Sequence, residues 1–165
     1  MKHVLVESAS IKVVGHHLLV APKLLNKWED EYTYAYGAVC PWDGIAHFLI
    51  LPNMLATTME LFLLEVAKRH SKEFVYVIYD GASIHNQDSF KMPKNMATKT
   101  LPPYSPELNP LVTIWEGEKF FPNLFFESMD EVEEKLIEAT LHFENNPKIV
   151  SSITGFKWIV KAKLK

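Results

Sequence analysis

At 165 residues, 48% of them apolar, the chain is long enough for one domain with its own core. Its 17 Lys and Arg against 20 Asp and Glu leave a net charge of −3, which excludes nucleic-acid binding by bulk positive charge and leaves only a local patch. The single cysteine, Cys40, excludes an intrachain disulfide and a cysteine-cluster zinc site, and no apolar run is long enough to span a membrane.

His3 to Glu7 is a short apolar run that predicts a buried strand with Glu7 at its end. The opening residues are too short an apolar run for a signal peptide, so the chain reads as soluble and cytoplasmic. Ile11, Val13, Val14 and the run from His16 to Val20 suggest a second strand, broken at Ala21 to Lys23, and residues 24–31 read as a loop. Tyr32 to Val39 is rich in β-formers and alternates aromatic with small residues. Asp43 and Gly44 then supply a turn, and Ile45 to Leu51 is the returning strand of a hairpin.

After Pro52 the period changes. Leu55, Met59, Phe62, Leu63 and Val66 recur at helical spacing through about His70, with Lys68, Arg69 and His70 in the last turn to suit the helix dipole. Phe74 to Tyr79, directly after a helix, predicts a central strand buried on both faces. Residues 81–97 read as a short helical turn and a loop, followed by a strand from Met96 to Leu101. Pro102 and Pro103 stop that strand, and Pro106 holds the chain out of helix. Asn109 is then placed as an N-cap and Pro110 as the first helical residue, opening a helix to about Phe121. On that register Val112 stands third in the helix, where capping and dipole both favour a carboxylate. Ser128 and Glu131 form a capping box for a helix that buries Val132, Leu136, Ala139 and Phe143 and stops at Pro147. The tail from Ile149 is too apolar to lie free, so it packs back as a turn or short helix. With no repeat and no linker, residues 1–165 read as one α/β domain: a mixed sheet with helices on both faces, in the order of a ribonuclease-H-like arrangement.

Asp80 is the leading candidate for chemistry, since it follows a central strand and precedes a glycine that leaves room for a ligand. The plainer role for it is to cap the next turn. Glu7 ends the neighbouring strand in this architecture. Two carboxylates at adjacent strand ends repel unless a proton or cation relieves them, and oxygen-rich sites suit magnesium or manganese. Such ions can activate water and stabilise the leaving oxygen in phosphodiester cleavage. Among the histidines, His16 and His17 point to opposite faces of a strand, and His3, His47, His70 and His142 have no partner at metal spacing. His85, five residues after Asp80, can reach a phosphate or orient Asp80. Lys91, Lys94 and Lys99 are the candidate DNA patch; the plainer reading is solvated surface.

The Asp80 to His85 segment, the string from Leu101 to Pro110 (Leu-Pro-Pro-Tyr-Ser-Pro-Glu-Leu-Asn-Pro) and Trp115 resemble the DDE endonuclease domain of bacterial insertion-sequence transposases of the mariner superfamily. The resemblance covers roughly residues 31–145. It implies a ribonuclease-H-like fold, three acidic residues, two divalent ions (Mg2+ or Mn2+), and cleavage and strand transfer at transposon ends. DNA is the implied partner, with a homodimer or an intact transposase as a protein partner. Carried over by residue, the second acid is Asp80 and the histidine of its loop is His85. The first acid position falls on Glu7-Ser8, or on Val6-Glu7 in the other register, and neither supplies an aspartate. The third falls on Val112. Glu116 lies on the same helix face one turn along, about 5.4 Å away, whereas misplacement by about 1 Å can already cost about 10²-fold in rate. The helix-turn-helix region that precedes the domain in the family is not found in this sequence. Two expectations follow. One is a metal-dependent DNA endonuclease with Asp80, Glu7 and Glu116 as catalytic carboxylates and Asp80 and Glu7 as metal ligands. The other is a transposase remnant that keeps the fold and binds DNA or an intact transposase without cutting.

Overall fold

Strand Tyr34–Val39 serves two layers at once because its small and large side chains alternate. Tyr36 and Ala38 go to one face and Ala35 and Val39 to the other, and all four are fully buried. The computed structural model describes residues 33–79, 91–102, 105–115 and 128–161, together with the backbone of residues 2–9. Five strands form one sheet: β1 Lys2–Ala9, β2 Tyr34–Val39, β3 Ala46–Leu51, β4 Val75–Tyr79 and β5 Met96–Thr100, in the order β3-β2-β1-β4-β5. β1 is antiparallel to β2 and parallel to β4, β2 and β3 form the antiparallel hairpin, and β4 and β5 are parallel. Helix α1, Ala56–Arg69, covers one face. Helices α2 Pro110–Trp115, α3 Met129–Asn145, α4 Pro147–Thr154 and α5 Lys157–Lys161 lie on the other. The mixed sheet with helices on both faces is therefore as the sequence implies.

The hairpin turn is set by Gly44, whose φ of 72° suits glycine. The Asp43 carboxylate accepts from the Ile45 N–H at 3.0 Å. A Cβ at position 44 would lie 1.7 Å from the Pro147 carbonyl oxygen, so the start of α4 rests directly on the turn. Helix α1 buries Met59, Phe62, Leu63, Val66 and Ala67. Helix α3 buries Val132, Leu136, Ala139 and Phe143 as its spacing requires, and Ser128 Oγ accepts from the Glu131 N–H at 3.3 Å.

Three expectations need correction. Leu55 is 55% exposed: it stands just before the helix, with Thr58 Oγ1 accepting its N–H at 3.0 Å, and so falls off the core face. β4 is flanked by strands but not buried evenly, because Tyr76 and Ile78 are only half-buried while Val75, Val77 and Tyr79 pack under α1. β1 continues past Glu7 to Ala9, since β2 goes on pairing with it after the β4 pairs end at Leu5. The tail, by contrast, forms two short helices in which Val150 and Ile159 are buried and Trp158 is exposed. The strand expected at 11–20, the helical turn at 81–92 and the end of the helix near Phe121 fall mainly or wholly outside the described residues.

Candidate functional site at the ends of β1 and β4

The parallel pair β1–β4 keeps one offset from Lys2↔Val75 to Leu5↔Ile78. Two residues further along each strand's sequence stand Glu7 and Asp80. Glu7 is still within the sheet, paired with Gly37 of β2. Position 7 shares its alternation set with Leu5, which pairs with Val39 on one side and Ile78 on the other. Those two side chains belong to the core under α2, α3 and α4. The alternative position, Val6, pairs with Ala38 of β2.

Helix α2 starts directly over this point. Asn109 is its N-cap: the buried side-chain Oδ1 accepts from the Leu111 N–H at 3.1 Å, and Pro110 is the first helical residue. Leu111, fully buried, lies against Gly37, where an added Cβ would come within 3.0 Å of Leu111 Cδ2 and 2.9 Å of Phe48 Cε1. Because Gly37 is the partner of Glu7, the missing side chain at position 37 brings the first turn of α2 down beside position 7. Val112 is the next residue in that turn and is half-buried. Thr113 Oγ1 donates to the Pro110 carbonyl and lies 3.3 Å from the Ile153 carbonyl, tying α2 to α4. Among the described residues, the buried donors Asn109 Nδ2 and Trp115 Nε1 have no hydrogen-bond partner.

Glu7 is thus placed by its backbone, and Asp80, His85 and Glu116 lie outside the described residues. Lys91 and Lys94 are exposed in the segment leading to β5, and Lys99 is exposed on β5 itself, the sheet edge beside β4. Among the described residues no group of three or more His, Cys, Asp or Glu is disposed to hold a metal ion. Sequence reading overlooked Gly37, although the alternation of aromatic with small residues in β2 carried the signal. It also treated His47 and His70 as unrelated. Their Nε2 atoms lie 2.8 Å apart, a contact between β3 and the end of α1 that spacing along the chain does not reveal.

Antiparallel β1-β2-β3, a helix, two strands parallel to β1, and a helix start laid over the β1 strand define the ribonuclease-H-like class. Residues 22–132, two thirds of the chain, match the DDE superfamily endonuclease family, and the chain belongs to it. An uncharacterized protein, y4pE/y4sA of Sinorhizobium fredii (strain NBRC 101917 / NGR234), is 29% identical over 130 residues, covering 77% of this chain and 96% of the relative. The fold is similar to that of the Mos1 mariner paired end complex with Mn, with a TM-score of 0.59, 14% identity, and 99% of this chain against 56% of that one. It is also similar to the Mos1 strand transfer complex, with a TM-score of 0.58, 13% identity, and 99% against 55%. The chain therefore spans about half the length of the Mos1 chains it overlays. Among the described residues no helix is long and apolar enough to cross a membrane.

Proposed function

We propose that this chain is a DDE-type transposase domain acting on transposon-end DNA, with cleavage and strand transfer impaired by the hydrocarbon side chain at Val112. The observation that carries this reading is the close seating of α2 on Gly37, which sets the first turn of that helix beside position 7. In this reading Glu7, Asp80 and position 112 are the three acid positions, and the last of them holds a valine.

Asp80 and Glu7 are the metal ligands and catalytic carboxylates in this reading, and Glu116, one turn beyond Val112, is the substitute third acid. Carboxylate oxygens suit Mg2+ or Mn2+, and Mos1 was crystallised as paired-end complexes with Mn and with Mg. Two carboxylates fit a divalent ion only in part, and the third position contributes no donor. When bound, such an ion supplies an activated water and neutralises charge on the leaving oxygen. The protein's own contributions are the fixed spacing of β1 and β4 and the rigid start of α2. His85 and the edge lysines Lys91, Lys94 and Lys99 contact the DNA backbone, where each phosphate contact adds salt-dependent affinity. The domain works in the cytoplasm, at the nucleoid when DNA is bound, as a homodimer or beside an intact transposase.

The test is cleavage of labelled terminal-repeat DNA under Mg2+ or Mn2+ titration. Slow metal-dependent nicking, lost in Asp80→Ala and raised at least tenfold in Val112→Glu, is the expected result. If neither wild type nor Val112→Glu cuts at any metal concentration, the chain is a DNA- or transposase-binding remnant. A Val112→Glu variant with unchanged metal affinity would show that position 112 does not face the metal.

A further inference from the structure

The N-cap of α2 carries one polar atom more than capping requires. Asn109 is 3% exposed. Its Oδ1 accepts from the Leu111 N–H at 3.1 Å, and its backbone carbonyl accepts from the Val112 N–H at 3.2 Å. That leaves Nδ2, which is buried and has no hydrogen-bond partner among the described residues. Serine and aspartate cap a helix about as well as asparagine and bring no amide group with them. A donor buried without an acceptor carries the full penalty of its lost hydration. Capping therefore accounts for Oδ1 alone, and the amide nitrogen needs a separate reason.

The reason lies three residues on. At a helix start the side chain of the third helical residue reaches back toward the N-cap, which is why glutamate there completes a capping box. In α2 that residue is Val112, half-buried and with no acceptor atom in its side chain. The turn is held firmly: Leu111 is seated on Gly37, Ile114 is buried in the core, and Thr113 Oγ1 lies 3.3 Å from the Ile153 carbonyl of α4. We propose that Asn109 is a positioning residue for the third carboxylate, with Oδ1 fixing the start of α2 and Nδ2 holding an acid at position 112. Here a valine stands in place of the acceptor, and the donor remains. This role rests on the reading of position 112 as the third acid position, and it names the residue that orients the acid there. Val112→Glu thus restores the pair only while Asn109 keeps its amide. A carboxylate that accepts from this donor is held ionised, so it titrates below the usual glutamate range.

A double-mutant cycle on the full chain tests this, with Asn109→Ser as the second change because serine keeps the cap and lacks the donor. With Val112 in place, Asn109→Ser is expected to change the urea midpoint little, since the donor it removes bonds to nothing. In the Val112→Glu background the same change lowers the midpoint at neutral pH. It also raises the pKa of the introduced carboxyl by about one unit, followed by NMR as the one carboxyl resonance that Val112→Glu adds. The stabilisation from that carboxylate is present at neutral pH and is lost as pH falls through its folded-state pKa. The Mn2+ affinity that Val112→Glu gains, measured by calorimetry, drops about tenfold or more when Asn109→Ser is added. Val112→Gln, which offers a neutral acceptor, takes its place in the cycle if circular dichroism shows that Val112→Glu does not fold. Coupling and a shifted pKa without any Mn2+ binding uphold the positioning role and reject the metal reading, so the two fail separately. An additive cycle, or a carboxyl that titrates alike with asparagine and with serine at position 109, overturns the proposal.

Discussion

At the scale of single residues, Cys40 shows how burial sets chemistry. It directly follows the hairpin's first strand with 3% exposure, and burial pushes its thiol up to about 11, with the side-chain hydrogen bond and charge of Asp43 acting the same way. Tyr36 moves in the same direction through burial, against a hydrogen bond from Thr58 Oγ1 that lies 2.9 Å from its hydroxyl. The sign of the pH effect follows. The unfolded chain releases the thiol proton near the ordinary value of 9.0, while the folded chain keeps it to about 11. Over that interval the unfolded state binds fewer protons, so stability is complete below the interval and falls as pH rises through it. Urea midpoints should therefore be lower at about pH 10 than at about pH 8, and Cys40→Ala should flatten the decline. An equal decline in Cys40→Ala would show that the thiol does not contribute. The same protonation makes Cys40 slow toward thiol reagents in the folded state and fast in urea.

At the scale of elements, two joints hold the layers together. Asn95, just before β5, donates from its side-chain amide to the Ala67 and His70 carbonyls at 3.1 Å each, satisfying the end of α1, while its own carbonyl accepts from the Val75 N–H at 2.8 Å. Asn95→Ala should cost about 1–2 kcal/mol in urea unfolding. Asn95→Asp should cost more, because a carboxylate then faces carbonyl oxygens; an aspartate variant no worse than alanine would sink this account. At the hairpin, Gly44→Ala combines left-handed strain with overlap on the Pro147 carbonyl and should cost about 2–3 kcal/mol. Elements of this kind were largely legible from local pattern: Asp43-Gly44 as a turn, Asn109-Pro110 as a helix start, and the buried spacings of α1 and α3. What spacing could not show was decided by contacts between distant segments. The end of β1 depends on β2, the uneven burial of β4 depends on what covers each sheet face, and Gly37 matters only because Leu111 comes down on it. The candidate site was legible to the same degree: Val112 follows from the helix register, and its neighbourhood with position 7 follows only from the sheet.

Across the whole molecule, a polar chain on the β3 edge ties three elements that no apolar contact alone would fix in register. The Glu144 carboxylate of α3 accepts from the Phe48 N–H of β3 at 2.8 Å and lies 3.4 Å from Arg69 Nη1 of α1. Arg69 donates to His47 Nδ1 at 3.1 Å, His47 and His70 share the 2.8 Å contact, and His70 Nδ1 lies 2.6 Å from the Glu73 carboxylate. Because arginine only donates and a carboxylate only accepts, these bonds run in one direction, from Arg69 through both imidazoles to Glu73. The same arrangement occupies an edge-strand N–H that would otherwise be open to pairing with another chain. Its parts differ in weight. The Arg69–Glu144 pair is partly exposed and should contribute about 0.2–1 kcal/mol, whereas the charged acceptor on the Phe48 N–H is worth about 1.5–3 kcal/mol. Glu144→Ala should therefore destabilise much more than Arg69→Ala, and the double variant should reveal only a small coupling between them. Glu144→Gln keeps the acceptor oxygen and loses the charge, so it should recover most of the stability. If the glutamine variant is instead as unstable as the alanine variant, the ion pair and not the strand-edge bond is what holds α3 to the sheet.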